Sequence, residues 1–563
     1  MGSLKEYLDW FENFRGTAQY SRFMQRPIAY FCAEYGLGDQ LPTYAGGLGV
    51  LAGDVIREAG DRGIPMVAIG LYYHYGYSCG DETHMNRTKD ECTRVDPQKV
   101  GLEPVTDDHG DRIYITIPIK NHDVVAQAWK WRDENVVVYL LDTDIEQNEP
   151  VDRRITDWLY ERDKETRMMQ YIVLGIGGQR LIEAMGIHPS IYHMNEGHSA
   201  ILALELIKHQ MAEREISFDE AKQFVRRRVV MTNHTLVAAG NEVYSNDLVA
   251  MLLAKYANEL QVPVQELVKL GLVQESSTFS MTMLALRMAG VVNAVSKLHA
   301  EKAREIWTDH PMVAVTNGVH LPTWDLMRDV TEESGAFWKM HQERKGKMLK
   351  LIEEKTGVQW GEDDLVIGWA RRFVKYKRPL AILKDIERFK EIAGREGKAV
   401  RLVYAGVPHA SDEDGQARLK DLKDLIEGEL AGFVTYLPDY SIEEAQFLIS
   451  GCDVWLNTPV VGFEACGTSG MKAAVNGVLP FSTKDGWVYE AQLFGVGWEI
   501  DGVKVSIDAL DKLENDILPV YLDRNKDGVP EKWEQMMRSA RDMGRNQFSA
   551  TRMVRKYVRM LYL

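Results

Sequence analysis

Glu464-Ala-Cys-Gly-Thr-Ser-Gly-Met-Lys472 is a turn of small residues with an acid at its front and a lysine at its back. Val454–Asn457 before it is a short apolar run of the kind that forms a buried strand, and Ala473-Ala474-Val475-Asn476-Gly477 after it reads as a short helix stopped by Asn-Gly. Strand, turn and helix in that order are the repeating unit of a parallel α/β sheet. A tight turn feeding a helix leaves backbone N–H groups aimed at one spot, which suits a phosphate or a sugar hydroxyl. A lysine one turn into the helix is placed to form a Schiff base with an aldehyde cofactor.

The same alternation runs through the chain. Ile28–Cys32, Met66–Leu71, Ile191–Met194, Val229–Thr232, Leu365–Trp369 and Leu402–Ala405 read as buried strands. Thr166–Met185, Ala200–Glu213 and Pro379–Ile392 carry helical patterns between them. Arg112–Ile119, Val124–Lys130 and Asn135–Leu141 differ and predict an antiparallel meander inserted near 112–141. The expected fold class is α/β, two Rossmann-like domains facing a central cleft, with the site where strand carboxyl ends meet. The expected domains are residues 1–325, 326–540, and a C-terminal helical segment, 541–563, that returns to the first domain.

The net charge of −16 argues against nucleic acid or an anionic membrane as the main partner. Five scattered cysteines read as reduced thiols, so a cytoplasmic location is expected. No leader pattern and no apolar run of membrane-spanning length is apparent. Cys79, His84 and Cys92 fit no common zinc spacing, and no metal site is expected. Asp523–Glu534 has the oxygen-ligand spacing of a calcium loop, but Pro530 and a weak entering helix favour a structural turn.

Three further groups carry chemistry. Tyr44-Ala-Gly46-Gly47-Leu48-Gly49 precedes a helical pattern, and its glycines let a ligand approach the backbone. Arg371-Arg372-Phe-Val-Lys375-Tyr376-Lys377-Arg378 places five cations directly after a strand, where a helix start normally repels them, so an anion is expected. Asn195–His198, Thr232–Thr235 and Thr316–Gly318 are polar stops after strands, suited to sugar hydroxyls or simply to turns. Asn293 interrupts an apolar run that reads as helical.

From about residue 27 onward, the order of these motifs resembles the α-glucan (glycogen, starch, maltodextrin) phosphorylases. The Glu464–Lys472 run is the most specific of them, because the related synthases lack its lysine. The resemblance implies pyridoxal 5'-phosphate on Lys472, with the backbone of Thr468, Ser469 and Gly470 and the side chain of Arg371 at the cofactor phosphate. It implies that Arg372, Lys377 and the Gly46–Gly49 loop, through the Gly47 N–H, bind substrate phosphate. Tyr376, Glu464 and the Cys466-Gly467 backbone would meet glucose hydroxyls; His234 and Asn293 would meet the 6-hydroxyl, and the His234 carbonyl would face the oxocarbenium. The implied reaction is reversible, retaining phosphorolysis of a terminal α-1,4-glucosyl unit to glucose 1-phosphate, the substrate phosphate acting as acid with help from the cofactor phosphate. The implied partners are α-glucan or maltodextrin and inorganic phosphate, with a homodimer possible. Cys466 replaces a common serine, and Val407 stands where a lysine is often found. The chain is short for the family, so the allosteric control of larger members is not expected. The competing readings are a cofactor-free GT-B glycosyltransferase and a catalytically silent glucan-binding protein.

Overall fold

The computed structural model describes residues 2–75, 94–133, 135–236, 241–273, 277–395, 398–409 and 412–563. Cys79, His84 and Cys92 lie outside them. The chain divides into two compact units. One comprises residues 5–295, 300–315 and 554–563, the other 2–4, 296–299 and 316–553. The chain passes between them at Leu4–Lys5, Val295–Ser296, His299–Ala300, Val315–Thr316 and Met553–Val554.

In the first-half unit, ten described strands form one sheet. Its parallel part runs Met312–Ala314, Val291–Ala294, Val229–Asn233, Ile191–Asn195, Ile28–Phe31, Met66–Leu71 and Val136–Asp142 in spatial order. Apolar residues occupy these strands almost continuously because helices cover both faces of such a sheet. Ile28–Phe31 is buried at every position. The expected meander is present: Ile115–Ile119 and His122–Asp133 are antiparallel, and Val136–Asp142 continues them while pairing parallel to Met66–Leu71. It therefore extends the main sheet. The helical pattern at 166–185 forms as Lys164–Ile172 and Gly178–Ala184, joined by one wider turn. The last ten residues pack in this unit, with the Arg555 guanidinium over the rings of Tyr7 and Trp10.

In the second-half unit, the order is Lys398–Ala405, Leu365–Ala370, Val454–Asn457, Leu479–Thr483 and Trp498–Ile500, all parallel, with Val434–Leu437 beside Lys398–Ala405. Two expectations need correction. Pro379–Ile392 is not one helix: a short tight turn at Ala381–Leu383 precedes the helix Ile386–Ala393, which Asp385 caps through the Arg388 amide. Asn293 lies in a strand, because Val291–Ala294 is too short for its period to be told from a helix. Among the described residues no helix is long and apolar enough to cross a membrane.

Candidate active site

In the second-half unit the Glu464–Lys472 turn is shaped by side chains from distant segments. The Ala465 carbonyl accepts from Ser296 Oγ at 2.7 Å and the Cys466 carbonyl from Asn317 Nδ2 at 3.0 Å. The Glu464 amide donates to Asp485 Oδ2 at 3.0 Å. Thr316-Asn-Gly318 is thus a brace for the turn. Its carbonyls at 316 and 317 accept from Arg552, and Gly318 is required because a Cβ there would lie 2.2 Å from the Ser549 carbonyl oxygen. The helix Ser469–Val475 follows and carries Lys472 on its buried side. Lys472 Nζ lies 3.8 Å from the centre of the Trp324 ring. Asn476 fixes that ring's backbone, donating to the Trp324 carbonyl and accepting from the Leu326 amide.

The cations after Leu365–Ala370 have separate fates, which their spacing did not reveal. Arg378 adopts a left-handed backbone conformation and points its guanidinium at the carbonyls of Thr458, Pro459 and Gly502. It is structural. Lys375 and Arg372 are exposed. Arg371 is buried, 3.1 Å from Glu464 Oε1, and bonds Asn457 Oδ1. Lys377 Nζ lies 3.9 Å from Glu464 Oε2. Burial, then repulsion from Arg371 and Arg372, outweighs Glu464 and brings the Lys377 amine down to about 7. The same cations hold Glu464 below the usual carboxylate range against its burial. Among the described residues three cations thus face one carboxylate, and Arg371 Nε and Glu464 Oε2 lack hydrogen-bond partners. Tyr376 stacks on Phe463 at their edge.

In the first-half unit, Glu34 organises the glycine loop. Its Oε2 accepts from the amides of Ala45 (2.8 Å) and Gly46 (3.3 Å), and its Oε1 accepts from Tyr160 at 2.6 Å. A Cβ on Gly49 would lie 2.7 Å from Glu34 Oε2, whereas one on Gly46 or Gly47 would meet nothing within 4 Å. The loop and Leu48 open the helix Gly47–Asp61. His234 donates its amide to Glu196 Oε2 at 2.7 Å, and its Nε2 lies 2.6 Å from Asn195 Oδ1. Glu196 holds a left-handed conformation, and burial raises its carboxyl to about 7. Asn293 is fully buried, its Oδ1 accepting from Thr232 and its Nδ2 donating to the Ala294 carbonyl.

The calcium-like loop is an Asx turn. Asn525 Oδ1 accepts from the amides of Asp527 and Val529, and Glu534 caps the helix Ala336–Thr356 through the Gly335 and Phe337 amides. Sequence reading missed Asp485 and Asn457, quoted Glu34 without a role, and included Asn317 only as part of a polar stop. Only their position at strand ends or in a polar stop marked them.

Parallel α/β sheets, a cation excess round one carboxylate, and a small-residue turn carrying a buried lysine make a site suited to an anion. A family model for carbohydrate phosphorylases matches residues 183–324 and 314–493. The chain is 35% identical to the maltodextrin phosphorylase of Thermococcus litoralis, over 96% of this chain and 70% of that protein. It is 32% identical to the glycogen phosphorylase of Mycobacterium tuberculosis (99% and 74%) and 31% to that of Aquifex aeolicus (97% and 87%). The chain belongs to the carbohydrate phosphorylase family.

Proposed function

We propose that this enzyme phosphorolyses terminal α-1,4-linked glucose of an α-glucan or maltodextrin, reversibly and with retention, releasing glucose 1-phosphate, and that its two units are the halves of a GT-B-type fold. The names of its relatives support the substrate class. The observation that carries the reading is the excess of cations, Arg371, Arg372 and Lys377, round the Glu464 carboxylate. An amine brought down to about 7 by burial, and then by the neighbouring cations, is stabilised in its charged form by an incoming anion.

The residues fit pyridoxal 5'-phosphate. Lys472 supplies a buried primary amine, Gly470 leaves a gap in which a Cβ would press on the Trp487 ring at 3.0 Å, and Arg371 Nε is an orphaned donor. Lys472 would hold the aldehyde carbon, and the first-turn amides at Thr468–Gly470 with Arg371 would hold the phosphate. When bound, the group supplies a second phosphate as a proton partner beside the substrate's. Arg372 and Lys377 bind and orient substrate phosphate, and the Gly47 amide presents a further donor. Glu464, Tyr376 and the backbone at Cys466 and Gly467 hold glucose hydroxyls. His234 and Asn293 address the 6-hydroxyl, with the His234 carbonyl stabilising developing positive charge on the sugar ring. Glu196 fixes the His234 backbone.

The test is glucose 1-phosphate release from maltoheptaose and from glycogen, with and without phosphate, by wild type and Lys472→Ala. Phosphate-dependent product that the variant fails to make is expected. Release that ignores phosphate, or that survives loss of Lys472, would overturn the reading.

A further inference from the structure

We propose that Tyr562, the penultimate residue, is a positioning residue for the glucosyl 6-hydroxyl, acting on Asn293 through a directed chain of three hydrogen bonds; this rests on the reading of Asn293 above. His193 Nδ1 lies 2.6 Å from the Tyr562 hydroxyl, and His193 Nε2 lies 2.6 Å from Thr232 Oγ1. Thr232 Oγ1 in turn bonds Asn293 Oδ1. All four residues belong to one unit and are buried.

The direction of the chain follows from the donors available. Asn293 Nδ2 donates to the Ala294 carbonyl, so its Oδ1 faces Thr232 and must accept. The single Thr232 hydrogen therefore goes to Asn293, and Thr232 Oγ1 accepts from His193 Nε2–H. His193 is caged by Tyr30, Tyr557 and Tyr562, and burial holds its imidazole down to about 3, so the ring is neutral. A neutral ring donating from Nε2 accepts at Nδ1, and the Tyr562 hydroxyl must donate there. Every link has one orientation. The amide of Asn293 cannot flip without leaving a buried partner unmet, which costs more than a lost exposed bond. One Nδ2 hydrogen goes to Ala294, and on the reading above the second would be the donor left for the sugar.

Backbone pairing keeps the chain in register. Asn293 and Thr232 are direct neighbours on adjacent strands, as are His193 and Tyr30. Only Tyr562 comes from outside the sheet.

The test measures holoenzyme affinity by calorimetry for glucose 1-phosphate and for α-xylose 1-phosphate, which lacks the hydroxymethyl group. Tyr562→Phe removes one oxygen and keeps the ring. It should weaken glucose 1-phosphate about three- to tenfold and leave xylose 1-phosphate unchanged. Thr232→Val should give the same selective loss, and adding Tyr562→Phe to it should give no further loss. Thr232→Ser, which keeps the hydroxyl, should restore the preference. Equal weakening of both sugars, or additive losses in the double variant, would reduce Tyr562 to a packing residue and overturn the proposal. Wild type binding both sugars equally would overturn the reading of Asn293 and the proposal with it. A wild-type preference that survives Tyr562→Phe overturns the relay alone.

Discussion

Two lysines, Lys345 fully buried and Lys377 half-buried, stand at opposite ends of the same pair of strands, and their surroundings treat them oppositely. At the amino ends of Leu365–Ala370 and Val454–Asn457, Lys345 Nζ donates to Asp453 Oδ2 (2.7 Å), to Tyr521 (2.9 Å) and to the Asp364 carbonyl. Asp453 also accepts from the Val366 amide and contacts His341 Nε2 at 2.9 Å. Burial opposes both charges, yet each partner outweighs it: Lys345 is held above its ordinary range and Asp453 below. At the carboxyl ends, Lys377 shares one carboxylate with Arg371 and is driven down. The first group closes its own electrostatics and ties the helix Ala336–Thr356 to the sheet. The second is left short of negative charge, and that deficit is what a phosphate would fill.

The comparison breaks most sharply under the same substitution at both positions. Lys345→Met leaves Asp453 buried without its cation and should cost about 3–5 kcal/mol of stability, read by denaturant unfolding. The folded fraction should keep its kcat/KM. Lys377→Met should do the reverse, lowering kcat/KM for phosphate about 10²–10³-fold with no loss of unfolding midpoint. If Lys377→Met unfolds the protein as Lys345→Met does, the cation cluster is a structural knot like its counterpart.

A smaller effect separates the two lysines by pH. Native Lys377 releases its proton at about 7, whereas the unfolded chain keeps it to roughly 10.4. Between these values the unfolded state binds more protons, so stability rises with pH across that window. The cost of burying the cation is therefore full below about 7 and fades above it. Lys377→Met should gain stability over wild type most at pH 6 and least at pH 10. Sulfate, a dianion throughout this range, should bind wild type progressively more weakly above about pH 7, by at most about tenfold per unit. The variant's sulfate affinity should be flat. Lys345 is shifted the other way: its contribution is full below the ordinary lysine value and is lost only as pH rises through its higher native one. Its variant should show no such trend between pH 6 and 9.

The parallel sheets were legible because buried strands carry unbroken apolar runs, and the lysine turn because small residues, acid and lysine sit together in nine positions. The lysine knot was not legible. Lys345 and Asp453 are 108 residues apart, and nothing local marks either as a partner of the other. Nor could eight consecutive residues tell which cation faces the site. Arg378 and Arg371 look alike in sequence, and the left-handed turn at Arg378 decides between carbonyls and carboxylate. The sequence round Asn293 reads as helical and folds as a strand, because four apolar-flanked residues carry too little period to distinguish the two conformations.

The contrast between polar groups held by the fold and polar groups left open also divides two neighbouring glycines. Gly49 abuts Glu34, and a methyl group there would displace the carboxylate that fixes the Ala45 and Gly46 amides. Gly49→Ala should cost about 1–3 kcal/mol and lose anion binding with the loop. Gly47 is the first residue of its helix and faces open space. Gly47→Ala should leave the protein as stable as wild type or up to about 1 kcal/mol more so, since alanine has the better helix propensity. It should still raise KM for phosphate by a few-fold, about one lost backbone hydrogen bond, because the methyl group stands where an anion would approach the amide. An unchanged KM in a well-folded Gly47→Ala variant would strike the Gly47 amide from the proposed phosphate donors.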